Sequence, residues 1–105
     1  MKIKIKPLSV NDAWQGRRFK TKKYKSYEEE LLYKLRPLKI PEKIRLDIDV
    51  GYSNKCSDID NCLKPLLDVL QKKYGFNDRN IYELKVKKSI IKKGQEYIDF
   101  EFIEL

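Results

Sequence analysis

The chain has 105 residues, with 24 Lys and Arg against 16 Asp and Glu and no histidine at all. That length allows one two-layer core and not two, and the net charge of +8 favours polyanionic partners, nucleic acid first. The missing histidine excludes imidazole-ligated zinc, Ser-His-Asp triads and histidine general bases.

From the N-terminus, Lys2-Ile3-Lys4-Ile5-Lys6 alternates with period two and stops at Pro7, the pattern of a short strand with one wet face. Residues 7–25 read as a long connection without periodicity of its own. In it the cations Arg17, Arg18, Lys20, Lys22 and Lys23 are interleaved with Trp14, Phe19 and Tyr24. Cations neutralise phosphates and rings stack on bases or wedge between them, so this mixture suits a nucleic-acid arm better than a plain solvated charge run. Ser26 and Glu29 have capping-box spacing, which predicts a helix from Ser26 with Glu28, Glu29 and Glu30 in its first turn and Tyr27, Leu31 and Leu35 as its apolar stripe. Pro37 ends it.

Ile44, Leu46, Ile48 and Val50 alternate with Arg45, Asp47 and Asp49 as a second strand. Asp47 and Asp49 share a face, and an outward polar face accounts for them without a metal. A second helix is expected from near Asn61, with Pro65 in its first turn and Leu63, Leu66, Leu67, Leu70 and Tyr74 buried; Gly75 ends it. Leu84 and Val86 alternate with Lys85 and Lys87 as a third strand, and Ile98, Phe100 and Phe102 mark a fourth. A turn at Lys92-Lys93-Gly94, with Gly94 left-handed, predicts a hairpin pairing Lys87 with Asp99 and Lys85 with Glu101. The fold class is α/β (α+β): a single domain with one mixed four-stranded sheet, two main helices and the order β-α-β-α-β-β.

The informative stretch is Ser57-Asp58-Ile59-Asp60-Asn61-Cys62-Leu63-Lys64, continued by Gly75-Phe76-Asn77-Asp78. On a basic chain electrostatics spreads acids among lysines, whereas a divalent-metal site needs several carboxylate oxygens together. An extended approach to the helix would aim Asp58 and Asp60 to one side, and Lys64 would stand one turn above Asp60. Helix capping by Asp60 or Asn61 is the simpler alternative, but it leaves Asp58 and Lys64 unexplained. A calcium loop is excluded because Cys62 and Val69 stand where later ligands belong. Cys56 and Cys62 are too few for a thiolate zinc site and are expected as free thiols. No apolar run approaches the roughly 20 residues of a membrane span and no signal-peptide pattern follows Met1, so a cytoplasmic protein without a membrane partner is expected.

The run Asp58-Ile59-Asp60-Asn61 with Lys64, Asp68, Leu70 and Gly75-Phe76-Asn77-Asp78, together with Ser9-Val10-Asn11 and Trp14, resembles the signature of the RusA-type Holliday junction resolvases. The resemblance runs through nearly the whole chain in element order. It implies that Asp58, Asp60 and Asp78 bind magnesium, with manganese as a substitute, and that Lys64 is the active-site lysine. It further implies a homodimer that nicks opposed strands of a four-way DNA junction, with Asn11 and Trp14 on the DNA side. The family often carries a pair of acids after its Gly-Phe step; here Asn77 precedes Asp78 at a shorter spacing. A non-catalytic binding module for branched DNA and a magnesium nuclease for other branched DNA are the competing readings.

Overall fold

The computed structural model describes residues 1–15 and 19–105. The elements in chain order are β1 (Lys2–Lys4), α1 (Val10–Ala13), β2 (Trp14–Gln15), β3 (Phe19–Lys20), α2 (Lys22–Lys34), β4 (Ile44–Tyr52), α3 (Leu63–Tyr74), a 3-10 turn (Asp78–Asn80), β5 (Ile81–Ile90) and β6 (Tyr97–Glu104). β1, β6, β4 and β5 make one mixed sheet in that spatial order; β2 and β3 form a separate small ribbon. The expected architecture of a mixed four-stranded sheet with two main helices is therefore the observed one.

Period-two patterning explains the sheet. In β4, Ile44, Leu46, Ile48 and Val50 are buried, while Arg45, Asp47 and Asp49 take the other face. Ile98 and Phe100 of β6 continue the apolar face, and Leu31 of α2 and Leu66, Val69 and Leu70 of α3 complete one core with it. Each buried aliphatic side chain contributes about 2 kcal/mol of burial free energy before chain entropy is set against it.

Two expectations are corrected. α2 starts at Lys22, one turn earlier than the Ser26 capping box predicts. Thr21 is its N-cap, with Oγ1 accepting the Tyr24 N–H at 3.1 Å, and buried Tyr24 extends the Tyr27–Leu31–Leu35 stripe backwards. Burying a ring outweighs the unfavourable placement of lysines at the positive end of the helix dipole, a matter of tenths of a kcal/mol to about 1 kcal/mol. Second, β5 and β6 are not a paired hairpin, because β4 lies between them. β5 runs parallel to β4 and β6 antiparallel to it. Lys85 and Lys87 therefore stand opposite Asp47 and Asp49, and Glu101 and Asp99 stand opposite the same two acids on the far side. Gly94 is left-handed as expected, at φ 90°.

The 91–96 connection crosses the end of β4 closely. A Cβ on Gly51 would overlap the Tyr97 ring and the Ile91 side chain. Gly51→Ala is therefore expected to lower unfolding stability by about 2 kcal/mol; an unchanged urea midpoint would show that the crossing is looser than described.

Candidate functional site

The parallel pairing of β4 and β5 decides where the acids go. A parallel neighbour is reached only by a crossover, so the chain leaves the end of β4, forms the turn ahead of α3 and returns along α3 to the start of β5. Asp58 and Asp60 lie in that turn. It is not the extended segment expected: the Asp58 carbonyl accepts the Asn61 N–H at 3.3 Å and the Asp60 carbonyl accepts the Leu63 N–H at 3.1 Å. Both residues are exposed, and among the described residues neither carboxylate has a hydrogen bond or ion pair. Nor do they cap α3, whose N-cap is Cys62 with no side-chain cap bond. The positive end of the helix dipole favours them by tenths of a kcal/mol each.

Asp78 lies at the other end of α3. Its N–H donates to Gln71 Oε1 at 2.9 Å, and Gln71 is about 12 Å of helix rise beyond Leu63. Asp58 and Asp60 thus share a turn, and Asp78 of the same chain does not join them. Among the described residues no three His, Cys, Asp or Glu side chains gather as a metal-holding group. The Asp58–Asp60 pair nevertheless fits magnesium, which is commonly held by one or two carboxylates with waters and substrate phosphate completing the shell.

Two lysines flank the turn. Lys64 is 64% exposed and reaches down α3 to Asp68, with Nζ 3.3 Å from Oδ1, rather than up to Asp60. So exposed a pair is worth at most about 1 kcal/mol. Lys88 was not singled out by the sequence. It stands opposite Val50, on the helix side of the sheet, and its Nζ donates to the Ser57 carbonyl at 2.8 Å. The only sequence signal for it is the break in alternation at Lys87-Lys88. Behind the turn, burial pushes the Cys62 thiol above its ordinary pKa and nearby Asp60 adds to the shift, which favours the neutral thiol.

The N-terminal segment is fastened to the same turn. The Val10 N–H donates to the Asn61 carbonyl at 2.8 Å, and Ser9 caps α1 by accepting the Asn11 N–H. Asn11 is exposed. Of the three aromatic residues expected to meet nucleic acid, Tyr24 is buried, and Trp14 is half-buried with its ring edge-on to Tyr24 at 5.3 Å. Phe19 alone stands out, 72% exposed. Lys22 and Lys23 are exposed in the first turn of α2. Lys20 is engaged, 2.9 Å from Glu28 Oε2, while Lys72 of α3 holds Oε1 of the same carboxylate at 2.9 Å. Arg17 and Arg18 lie outside the described residues.

No family model matches the chain, and no curated protein matches it. No helix among the described residues is long and apolar enough to cross a membrane.

Glu28 couples the arm to α3. Burial pushes its pKa up, but hydrogen bonds and charge from Lys72 and Lys20 outweigh that and hold it below the ordinary 4.5. A depressed carboxylate contributes stability that is full above the unfolded-state value and is lost as pH falls through the folded one. Glu28→Gln should therefore cost roughly 1 kcal/mol at pH 7, with the difference from wild type shrinking as the pH drops below 4.5. A pH-independent difference in urea unfolding would rule out this coupling.

Proposed function

We propose that the chain is a magnesium-dependent, structure-specific endodeoxyribonuclease that resolves four-way junctions by paired nicks, acting as a homodimer. The observation that carries the reading is the turn ahead of α3, where Asp58 and Asp60 are exposed, without a hydrogen-bond or ion-pair partner among the described residues and not used as caps. The resemblance of the same residues to RusA-type resolvases, and a basic N-terminal segment fastened to the same turn, support it.

Hydrolysis of a phosphodiester needs an activated water, relief of negative charge on the phosphate and support for the leaving oxygen. Asp58 and Asp60 would hold a magnesium ion, which supplies Lewis-acid polarisation and a more acidic bound water. Lys64 exchanges Asp68 for the scissile phosphate and offsets the charge that grows there. Lys88 clamps the Ser57 carbonyl and so orients the turn bearing both acids. Lys22 and Lys23 meet the sugar-phosphate backbone, where each contact adds salt-dependent affinity without reading sequence. Phe19 offers a face for stacking on bases unpaired at the branch point.

The test is incubation of the protein with an end-labelled four-way junction and with matched linear duplex, with and without magnesium. Paired nicks confined to the junction and to magnesium are expected; tight junction binding without nicks would make the chain a binding module instead. Asp60→Asn should lower nicking by roughly 100-fold or more. Metal-free junction binding should hold or tighten, because one negative charge beside the DNA is removed. Unchanged nicking by Asp60→Asn would take Asp60 out of the mechanism.

A further inference from the structure

β6 outruns its neighbour on one side. It continues to Glu104, whereas β1 accompanies it only as far as Met1 and Phe100. There the Phe100 N–H donates to the Met1 carbonyl at 3.0 Å, and the Met1 amine donates to the Phe100 carbonyl at 2.6 Å. Residues of an antiparallel strand alternate between bonding one neighbour and bonding the other. Phe102 and Glu104 therefore aim their backbone groups at the same edge as Phe100, and no strand meets them there among the described residues.

A groove of about 410 Å³ lies against this stretch. Phe100 and Phe102 line it from the sheet, and Arg36, Pro37, Leu38 and Lys39 of the α2–β4 connection form the other wall. All four wall residues are exposed, and the wall is fastened, because the Arg36 carbonyl accepts the Tyr74 hydroxyl at 2.6 Å. The Arg36 and Lys39 side chains have no ion pair among the described residues. We propose that this groove takes an extended acidic segment of another protein, added to the sheet as a short strand in line with β1, its carboxylates against Arg36 and Lys39. Strand addition draws affinity from main-chain hydrogen bonds and specificity from alternate side chains.

Register and charge set the pattern of the occupant. Antiparallel pairing, which continues the direction of β1, makes one residue exchange both backbone bonds with Phe102, and its side chain then stands on the groove side of the sheet with the Phe102 ring. Acids at that position and two residues away face the two cations. The residues between them fall on the outer face beside Glu101 and Ile103, where an apolar β-branched side chain suits Ile103 and an acid would meet Glu101. A nucleic-acid strand has no row of amides at strand spacing for Phe102 and Glu104, and Glu101 and Glu104 repel its phosphates. The groove also lies away from the acid turn: Phe102 pairs with Leu46 near the start of β4, and the turn follows the far end of that strand at Tyr52. It stands independently of the nuclease reading.

The probe is a fluorescein-labelled peptide of alternating aspartate and valine, six residues long, titrated with the untagged protein by fluorescence anisotropy. Saturable binding with a Kd below about 1 mM is expected. The double variant Arg36→Glu/Lys39→Glu should weaken it by roughly tenfold or more, and a lysine-valine peptide should not bind. Methylating the aspartate nitrogens of the probe removes the donors that face Phe102 and Glu104 and should abolish binding, whereas methylating the valine nitrogens should not. Saturating probe should slow hydrogen exchange at the Phe102 amide by roughly tenfold or more. No saturation, equal binding of the lysine-valine peptide, or indifference to Arg36→Glu/Lys39→Glu would overturn the acidic segment. Binding indifferent to methylation, or lost only on the valine nitrogens, would overturn the pairing with β6. If four-way-junction DNA protects the Phe102 amide and the peptide does not, the groove is a DNA contact and no docking site for a protein segment.

Discussion

The parallel pairing of β4 with β5 is the constraint on which the rest depends. Antiparallel neighbours can be joined by a tight turn, but parallel neighbours need the chain to travel the length of the sheet between them. α3 makes that journey, and its apolar side, Pro65, Leu66, Val69 and Leu70, is buried against the sheet. Everything polar in the crossover is consequently displaced to its two ends or to its outer side. The turn with Asp58 and Asp60 sits at one end, Asp78 at the other, and Lys64, Asp68 and Gln71 follow the helix between them. The crossover also leaves β5 as the last strand, with a free side.

Much of this was legible in sequence because local patterning and core-building agree there. β4 alternates from Ile44 to Val50 and β6 from Ile98 to Phe102, Gly75 caps α3 in the left-handed conformation at φ 70°, and Pro37 lies just beyond α2. The start of α2 was not legible, because its first turn carries Lys22, Lys23 and Lys25 where the dipole favours acids. A nearby Ser26–Glu29 pair imitates a cap, whereas Thr21 does the capping. The strand order was hidden for a different reason. Lys85 and Lys87 match Asp99 and Glu101 in a hairpin, but they match Asp47 and Asp49 in a parallel pair equally well. Charge alternation with one period on every strand does not distinguish its neighbours.

The candidate site was legible as residue types and not as geometry. Asp58 and Asp60 could be singled out because a basic chain gives no electrostatic reason to place acids together outside a helix cap. Their distance from Asp78 depends on the direction of β5, which no local pattern encodes. Lys88 was hidden among the five lysines of the nine residues Lys85–Lys93, which by composition read as a mostly solvated run. Only its register against Val50 turns it inward to the Ser57 carbonyl. The aromatic residues of the arm divide for the same reason: Tyr24 continues a helical stripe and is buried, while Phe19 falls on the exposed side of a two-residue strand.

The charge distribution gives the fold a direction. Lysines in the first turn of α2 add positive charge to a helix end that is already positive, and the acids ahead of α3 share one turn without an ion-pair partner among the described residues. The lysines oppose the dipole of α2, whereas the acids gain tenths of a kcal/mol each from that of α3. Under the nuclease reading, both groups are placed to meet a ligand that carries phosphates and brings a divalent cation. Glu28 connects the two regions, since one carboxylate holds Lys20 from the arm and Lys72 from α3. A parallel crossover keeps the acids at opposite ends of α3: Asp58 and Asp60 stand ahead of its first turn, and Asp78 follows its last.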